Sequence, residues 1–328
     1  MAPGFERSKQ FEENPKSPWE DLPKPEILEI AGKDVEVYDV SPENLKTEVP
    51  TVVAPAWGVR PDVYRYNIGT LVDAGRRVIS VDAPHGVETE KEEDLPMAEL
   101  RKMAAIMETV EAKGIEKVDV VAHSEGALYM TIAATLHPER FRNTVLVDPA
   151  GIIGEDNIMR LGKGFGEDAA LEAERRKTKT DRDATDPAEF QRTILSSPLK
   201  SLREIFAISG ADIREMLRNL KEKGIGISVI HAIDDKGFPM ERVQFERLPG
   251  ESEKVFKARV EKIKANDPET AKTIKGNVDT SMVDGFYSVQ GTHNEIIQRP
   301  ELYTKLVEHA LEAMEKKQEK QRGQEAGA

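Results

Sequence analysis

Short apolar runs rich in β-branched residues alternate along most of the chain with longer segments of helical periodicity. Runs of this kind are typical of strands buried on both faces of a parallel sheet, whose successive strands need a crossover between them. The alternation therefore predicts an α/β fold with a mostly parallel sheet. Seven predicted strands lie at 26–30, 35–40, 51–55, 76–84, 117–124, 143–151 and 226–235, and the segment 283–294 contains the eighth strand with its exit loop.

The chain changes character at several points, and each change suggests a boundary. A stretch rich in Pro, Glu and Lys opens the chain and a charged stretch closes it, so both are predicted to be flexible. Dense charge and helical patterns without strands after the sixth predicted strand indicate a helical insertion. The predicted division is a flexible arm 1–24, a first core part 25–151, a helical insertion 152–225, a second core part 226–315 that contains a further helical insertion 240–278, and a flexible tail 316–328.

The acidic balance of the chain limits what it can bind. The 328 residues include 60 acidic and 47 basic ones, for a net charge of −13. Phosphate backbones and anionic lipid headgroups repel such a protein, so we expect no nucleic-acid and no membrane partner. No apolar run reaches the roughly 20 residues of a membrane span, and no signal-peptide pattern is seen, so a cytoplasmic protein is expected.

The chain contains no cysteine, which removes several kinds of chemistry at once. Disulfides, thiolate zinc sites, iron–sulfur clusters and cysteine nucleophiles are all excluded.

A candidate nucleophile lies where the strand at 117–124 meets the helix that follows it. The segment 122–126, with the sequence AHSEG, is close to the G-x-S-x-G nucleophile elbow. In that turn the serine side chain stands clear of the sheet, and small flanking residues let the strand and helix backbones approach. The alternative is an ordinary strand-to-helix turn in which Ser124 caps the helix.

A nucleophilic serine needs a base, and His293 is the favoured one of six histidines. It lies just beyond the last predicted strand, and loops at the carboxyl ends of strands are where open α/β sheets place catalytic groups. The alternative for His293 is an ordinary surface-loop histidine. The other histidines have structural explanations in elements or loops, and they are His85, His123, His137, His231 and His309.

Three aspartates are candidates for the acid that orients the base. Asp235 is preferred, because it lies at the carboxyl end of the strand at 226–235 and a carboxylate there reaches the same sheet edge as His293. Asp234 is the second candidate, with its neighbour then capping a turn. Asp148 is the third, at the end of VLVD, where a turn carboxylate ahead of a proline is the simpler explanation.

Several segments, in order along the chain, resemble the α/β hydrolases, and in particular the serine hydrolases related to esterases, lipases and haloperoxidase-like enzymes. Residues 51–61, TVVAPAWGVRP, resemble a strand with its oxyanion loop, and residues 76–86, RRVISVDAPHG, resemble a further strand and loop of that family. Residues 120–151 resemble the elbow, its helix and the next strand, and the order Ser, Asp, His also matches. Covering 26–315, the resemblance implies an eight-stranded sheet with a helical cap, 152–225, inserted after strand six.

The resemblance also implies a chemistry, namely hydrolysis of a carboxylic ester of a small molecule. Ser124 would attack the acyl carbonyl, His293 would take its proton, Asp235 would orient His293, and water would then cleave the acyl-enzyme. The backbone N–H groups of Trp57 and Glu125 would form the oxyanion hole. No metal ion and no organic cofactor would be needed.

Two positions depart from the family pattern, since Ala56 and Ala232 stand where the family usually has glycine. Alternative functions are a peptidase or thioesterase of the same fold, or a catalytically idle member that binds a ligand. A serine rather than an aspartate at position 124 argues against haloalkane dehalogenase and epoxide hydrolase chemistry.

Overall fold

A nine-stranded sheet organises the computed structural model, which describes residues 19–88, 98–176, 187–239, 272–273 and 282–325. Its strands are β1 (Glu26–Ile30), β2 (Lys33–Val40), β3 (Thr51–Ala54), β4 (Val78–Asp82), β5 (Val118–His123), β6 (Phe141–Val147), β7 (Gly226–Ala232), β8 (Lys272–Thr273) and β9 (Gly285–Val289). The α-helices of the described residues are α1 (Arg65–Asp73), α2 (Ala98–Ala112), α3 (Glu125–Leu136), α4 (Ile158–Arg176), α5 (Pro187–Ser196), α6 (Pro198–Ser209), α7 (Arg214–Glu222), α8 (Glu295–Gln298) and α9 (Pro300–Glu325).

The sheet is mostly parallel, with the strand order β1-β2-β4-β3-β5-β6-β7-β9-β8. Strands β4, β3, β5, β6, β7 and β9 pair in parallel, whereas β1, β2 and β8 run antiparallel to their neighbours. All eight predicted strands are present, so the predicted α/β sheet is confirmed. The additional strand, β8, has two residues, too few to leave a periodic pattern in the sequence.

The middle of the sheet is buried on both faces. Every residue of β3, β5 and β7 is buried, which is why these strands appear in the sequence as continuous apolar runs. Successive side chains point to opposite faces, so Val120 of β5 packs in the core that includes α2 and α3, and Val121 in the core that includes α1 and α9. Because helices cover both faces, the open places for a site are the ends of the strands.

Helices α4 to α7 occupy the described part of the chain between β6 and β7, where the sequence predicts a helical insertion. The last of them, α7, buries Leu217 and Leu220 in the same core as α3. The end of the insertion therefore forms part of the helical layer on the sheet. The second predicted insertion, 240–278, lies outside the described residues except for β8.

Residues 19–24 of the predicted arm and residues 316–325 of the predicted tail lie within the described part of the chain. Trp19 donates a hydrogen bond from Nε1 to Asp73 Oδ2 at 2.9 Å. At the other end α9 continues to Glu325, and Gln318 within the predicted tail donates a hydrogen bond to Asn143 Oδ1 at 3.1 Å. A polar composition that suggests disorder is equally compatible with an exposed helix that touches the core on one side.

None of the helices in the described ranges is both long enough and apolar enough to cross a membrane. The longest, α9, has 26 residues but carries charged side chains along most of its length.

Candidate active site

Ser124 occupies a strained turn between β5 and α3. Its backbone has φ 55° and ψ −118°, a conformation that costs a residue with a side chain about 1–3 kcal/mol. Hydrogen bonds on both sides hold it there, since Ser124 N donates to Val147 O at 2.9 Å and Ala150 N donates to Ser124 O at 3.0 Å. The hydroxyl makes no capping hydrogen bond to α3, so the alternative interpretation of Ser124 as a helix cap is wrong.

Gly126 allows the first turn of α3 to approach the end of β3. A Cβ at this position would lie 2.4 Å from the carbonyl oxygen of Ala54 and 2.7 Å from that of Pro55. Both are backbone atoms, so no side chain can rotate away to make room. The small residue on this side of the elbow is therefore required by the packing of the turn.

We expect Gly126→Ala to lower the free energy of unfolding by about 1–3 kcal/mol, the usual effect of overpacking a buried position. Gly162→Ala is the matched control, because a Cβ at this exposed position of α4 meets nothing within 4 Å. The free energy of unfolding of this control should equal that of the wild type or exceed it by up to about 1 kcal/mol, because alanine stabilises a helix more than glycine does. Urea denaturation of both variants measures the difference, and equal stabilities would contradict the steric role of Gly126.

The structure brings Ser124, His293 and Asp235 together in one hydrogen-bonded chain. His293 Nε2 lies 2.8 Å from Ser124 Oγ, and His293 Nδ1 lies 2.9 Å from Asp235 Oδ2. All three side chains are buried. They follow β5, β9 and β7 respectively, and the carboxyl ends of these parallel strands meet at one edge of the sheet.

For both His293 and Asp235, burial and the neighbouring charge shift the pKa in opposite directions. Burial lowers the pKa of His293, but the neighbouring carboxylate of Asp235 and the hydrogen bond to it outweigh burial and raise that pKa to about 9. Burial raises the pKa of Asp235, but the charge of His293 outweighs it, so the pKa is lowered overall. Asp235 is therefore ionised at neutral pH and stabilises positive charge on the imidazole.

The other two candidate acids are placed differently. Asp148 is fully buried, and its Oδ1 accepts a hydrogen bond from Ala232 N at 2.7 Å. Its Oδ2 has no hydrogen-bond partner among the described residues. Burial and the nearby charge of Asp235 raise the pKa of Asp148 well above its ordinary value. Asp234, one residue before the acid that meets His293, hydrogen-bonds through its backbone N to Gly291 O at 2.9 Å.

Of the two predicted oxyanion donors, Glu125 lies within the elbow and Trp57 lies in the loop after β3. Glu125 is the first residue of α3, so its backbone N–H has no acceptor within the helix. Trp57 lies in the loop after β3, and the parallel pairing of Ala54 with Ala122 sets this loop beside the elbow. The Trp57 indole Nε1 donates to Glu204 Oε2 of α6 at 2.9 Å, which ties the loop to the helical insertion.

A chain of hydrogen bonds that the sequence patterns do not predict links the loop after β3 to the loop of His293. Ala56 N donates to Tyr64 Oη at 3.1 Å, and Tyr64 Oη lies 2.6 Å from His123 Nδ1. His123 Nε2 donates to the carbonyl of His293 at 2.9 Å, which leaves Nδ1 to accept from the tyrosine. Burial, with the charge of His293, lowers the pKa of His123 to about 3, so this ring is neutral. No pattern in the sequence connects these three residues.

The side chain of Glu125 belongs to a buried group of charges that the sequence patterns also leave unpredicted. Lys102 Nζ lies 2.5 Å from Glu125 Oε2 and 3.6 Å from Glu204 Oε1, and Glu99 is buried beside them. Burial raises the pKa of Glu125 to about 7, although Lys102 acts in the opposite direction. These buried charges connect α2, α3 and α6, and one of them, Glu125, is the residue directly after Ser124.

Two groups of described side chains have ligand atoms close enough together to hold a metal ion. They are His123, Asp148 and His293, and Asp148, His231 and Asp235. Both nitrogens of His293 already take part in the hydrogen bonds to Ser124 and Asp235. An ion bound by the first group would break the hydrogen bonds of His293, so for these three residues the arrangement favours proton transfer over metal binding.

Known proteins resemble this chain along most of its length. The model of the alpha/beta hydrolase fold family matches residues 53–227, more than half of the chain. A protein of Mycobacterium phage D29 that bears the name of a non-heme haloperoxidase is 24% identical over 288 residues, which cover 84% of this chain and 91% of that protein.

A hydrolase and a protein of known structure are also similar to this chain. A 2-hydroxy-6-oxo-6-phenylhexa-2,4-dienoate hydrolase of Comamonas testosteroni is 35% identical over 101 residues, covering 30% of this chain and 34% of that enzyme. The crystal structure of a bromoperoxidase from Bacillus anthracis has a TM-score of 0.56 at 15% identity, covering 88% of this chain and 99% of that one, so the two share a fold. With the family match, this shows that the chain belongs to the α/β hydrolase fold family.

Proposed function

We propose that this protein is a serine hydrolase that cleaves a carboxylic ester, or a related acyl bond, of a small molecule. The observation that carries the proposal is the continuous chain from Asp235 through His293 to Ser124, with hydrogen bonds of 2.9 and 2.8 Å. A serine hydroxyl is nearly unreactive at neutral pH unless a base takes its proton, and this chain supplies that base together with the group that orients it.

The reaction would proceed through an acyl-enzyme. Ser124 Oγ attacks the carbonyl carbon while His293 Nε2 takes the hydroxyl proton, and Asp235 stabilises the imidazolium that forms. The backbone N–H groups of Glu125 and Trp57 would receive the negative charge on the carbonyl oxygen. His293 then returns the proton to the leaving alcohol. In the second half, His293 takes a proton from water while the water oxygen attacks the acyl carbon. The bond between that carbon and Ser124 Oγ then breaks, and His293 returns the proton to Oγ as the acid leaves.

The burial of the site supports a small substrate. Ser124 is 4% exposed and His293 is 5% exposed, with the aromatic rings of Phe165 and Phe238 on the latter. Because both side chains are buried, a polymer substrate would require a large displacement of the residues around them to reach the hydroxyl. A small ester can enter with a limited rearrangement of the same side chains.

The test is labelling of the purified protein with a fluorophosphonate probe, followed by peptide mapping and by turnover of p-nitrophenyl esters of increasing chain length. We expect a covalent adduct on Ser124 and turnover of short esters, both absent in Ser124→Ala. Thioester and amide analogues run in parallel show which acyl bond is preferred. Folded protein that forms no adduct and turns over no acyl substrate would overturn the proposal.

The pKa of His293 predicts an alkaline pH profile. Only the neutral imidazole can accept the serine proton, so kcat/KM should rise with pH and level off above about pH 9. Below that pH the imidazolium predominates and activity falls. Steady-state kinetics from about pH 5 to about pH 10, with circular dichroism as a control for folding, measures the profile. A rise centred on the ordinary histidine value of 6.5 would contradict the effect of Asp235.

A further inference from the structure

Helix α4, the first helix after β6, lies against two loops that carry members of the candidate site. We name residues 233–239, which include Asp235, the acid loop, and residues 290–294, which include His293, the histidine loop. The two loops are far apart in the sequence, and a backbone hydrogen bond from Asp234 N to Gly291 O at 2.9 Å joins them where they leave β7 and β9.

The contacts of α4 with the acid loop engage backbone donors and backbone acceptors together. Asp168 Oδ2 accepts hydrogen bonds from the backbone N of Lys236 and of Gly237, both at 3.0 Å. Arg160 donates from Nη1 to the carbonyl of Lys236 at 3.0 Å and from Nη2 to that of Gly237 at 2.5 Å. Side chains of one helix therefore bind both the backbone N–H groups and the carbonyl groups of two successive residues next to Asp235.

One turn further along α4, Glu172 makes the corresponding contact with the histidine loop. Its Oε1 accepts from Thr292 Oγ1 at 3.1 Å and from Asn294 Nδ2 at 3.0 Å, the residues directly before and after His293. Residues four apart lie on the same face of a helix, so Asp168 and Glu172 present their carboxylates to the two loops side by side.

The backbone of α4 packs directly against the backbone of the acid loop. A Cβ at Gly164 would lie 2.1 Å from the carbonyl oxygen of Lys236. On the next residue, the ring of Phe165 lies 5.2 Å from that of His293 and 5.8 Å from that of Phe238. The helix therefore contacts both loops through backbone, aromatic and charged groups.

The burial of these carboxylates is informative, because burying a charge is costly unless hydrogen bonds compensate it. Asp168 is 2% exposed and Glu172 is 4% exposed. Apolar residues at both positions would attach α4 to the core at a lower desolvation cost. Carboxylates, unlike apolar side chains, form hydrogen bonds to each loop in a defined direction.

We propose that Asp168 and Glu172 are positioning residues that hold the acid loop and the histidine loop at the separation where Asp235 meets His293. This rests on the proposed function and adds the helical insertion to the machinery that sustains it. A displacement of about 1 Å between reacting groups can reduce the rate by about 100-fold, so small shifts of either loop matter.

The experiment compares Asp168→Ala, Glu172→Ala and the double variant with Asp168→Asn and Glu172→Gln, which keep an acceptor oxygen in place. Glu174→Ala, at an exposed position of the same helix, is the matched control. We measure kcat and KM separately, the rate of fluorophosphonate labelling, the melting temperature, and the NMR resonance of the His293 Nδ1 proton. That resonance reports the bond to Asp235 without requiring turnover.

We expect each alanine variant to lose about 10- to 100-fold in kcat with KM changed only a few-fold, and to lose or shift the Nδ1 resonance. The asparagine and glutamine variants should retain most of the activity. Alanine variants that match Glu174→Ala in kcat and keep the resonance would overturn the inference. So would losses that follow the melting temperature and are not rescued by Asn or Gln. Wild-type protein that does not label at Ser124 would instead count against the proposed function, and the resonance would still test the role of α4.

Discussion

His293→Ala is expected to lower kcat/KM for ester hydrolysis by about 10⁴- to 10⁶-fold, the range found when the base of such a chain is removed. His293 Nε2 is hydrogen-bonded to Ser124 Oγ and His293 Nδ1 to Asp235, so this substitution removes both the proposed base and its link to the acid. Fluorophosphonate labelling of Ser124 should slow by a similar factor. The measurement is single-turnover labelling together with steady-state ester hydrolysis.

His137→Ala is the control for His293→Ala. His137 is exposed at the end of α3, away from the chain of hydrogen bonds, so its loss should leave both rates within about two-fold, as for most surface substitutions. A His293→Ala variant that is folded and still labels at the wild-type rate would show that Ser124 is activated by another group or is not activated at all.

Asp235→Asn is expected to lower kcat by about 10⁴-fold, because an amide favours the wrong tautomer of the histidine and cannot stabilise its positive charge. The matched substitution is Asp148→Asn. The carboxyl of Asp148 is buried and its pKa is raised, which favours the uncharged form, and asparagine keeps an oxygen for the hydrogen bond from Ala232 N. We expect Asp148→Asn to stay within a few-fold of the wild type.

Steady-state kinetics of the two asparagine variants at several pH values separates the roles of the two acids. In Asp235→Asn the rise of activity with pH should also move to lower pH, because the charge of Asp235 is the main cause of the raised pKa of His293. Equal losses in both variants would mean that Asp148 shares the orienting role. A larger loss in Asp148→Asn would reverse the assignment.

Local patterns in the sequence are enough to predict the architecture. The eight strands are recognisable because strands buried on both faces consist of continuous apolar residues, and the intervening helices repeat apolar residues at helical spacing. Once a parallel sheet is predicted, the carboxyl ends of its strands must lie along one edge. That is why Ser124 and His293, which are 169 residues apart in the chain, are expected near each other from the strand pattern alone.

The choice among the acids is only partly accessible from the sequence. Asp234 and Asp235 are adjacent, so the spacing from the strand does not distinguish them, and Asp148 follows a neighbouring strand. The distinction depends on which carboxylate points at His293 Nδ1 after the chain leaves β7. It also depends on the hydrogen bond from Phe238 N to Asp235 Oδ1, which forms only when the acid loop has folded back.

The sequence by itself therefore determined the sheet, the turn that carries Ser124, and the edge of the sheet at which the proposed base and acid would meet. Tertiary structure decided which acid meets the base, the link from Tyr64 through His123 to His293, and the contacts of Asp168 and Glu172 with the two loops. The physical reason is the range of the interactions. Hydrophobic periodicity and turn geometry are set by residues close together in the chain, whereas buried polar contacts join segments whose approach depends on the packing of the whole molecule.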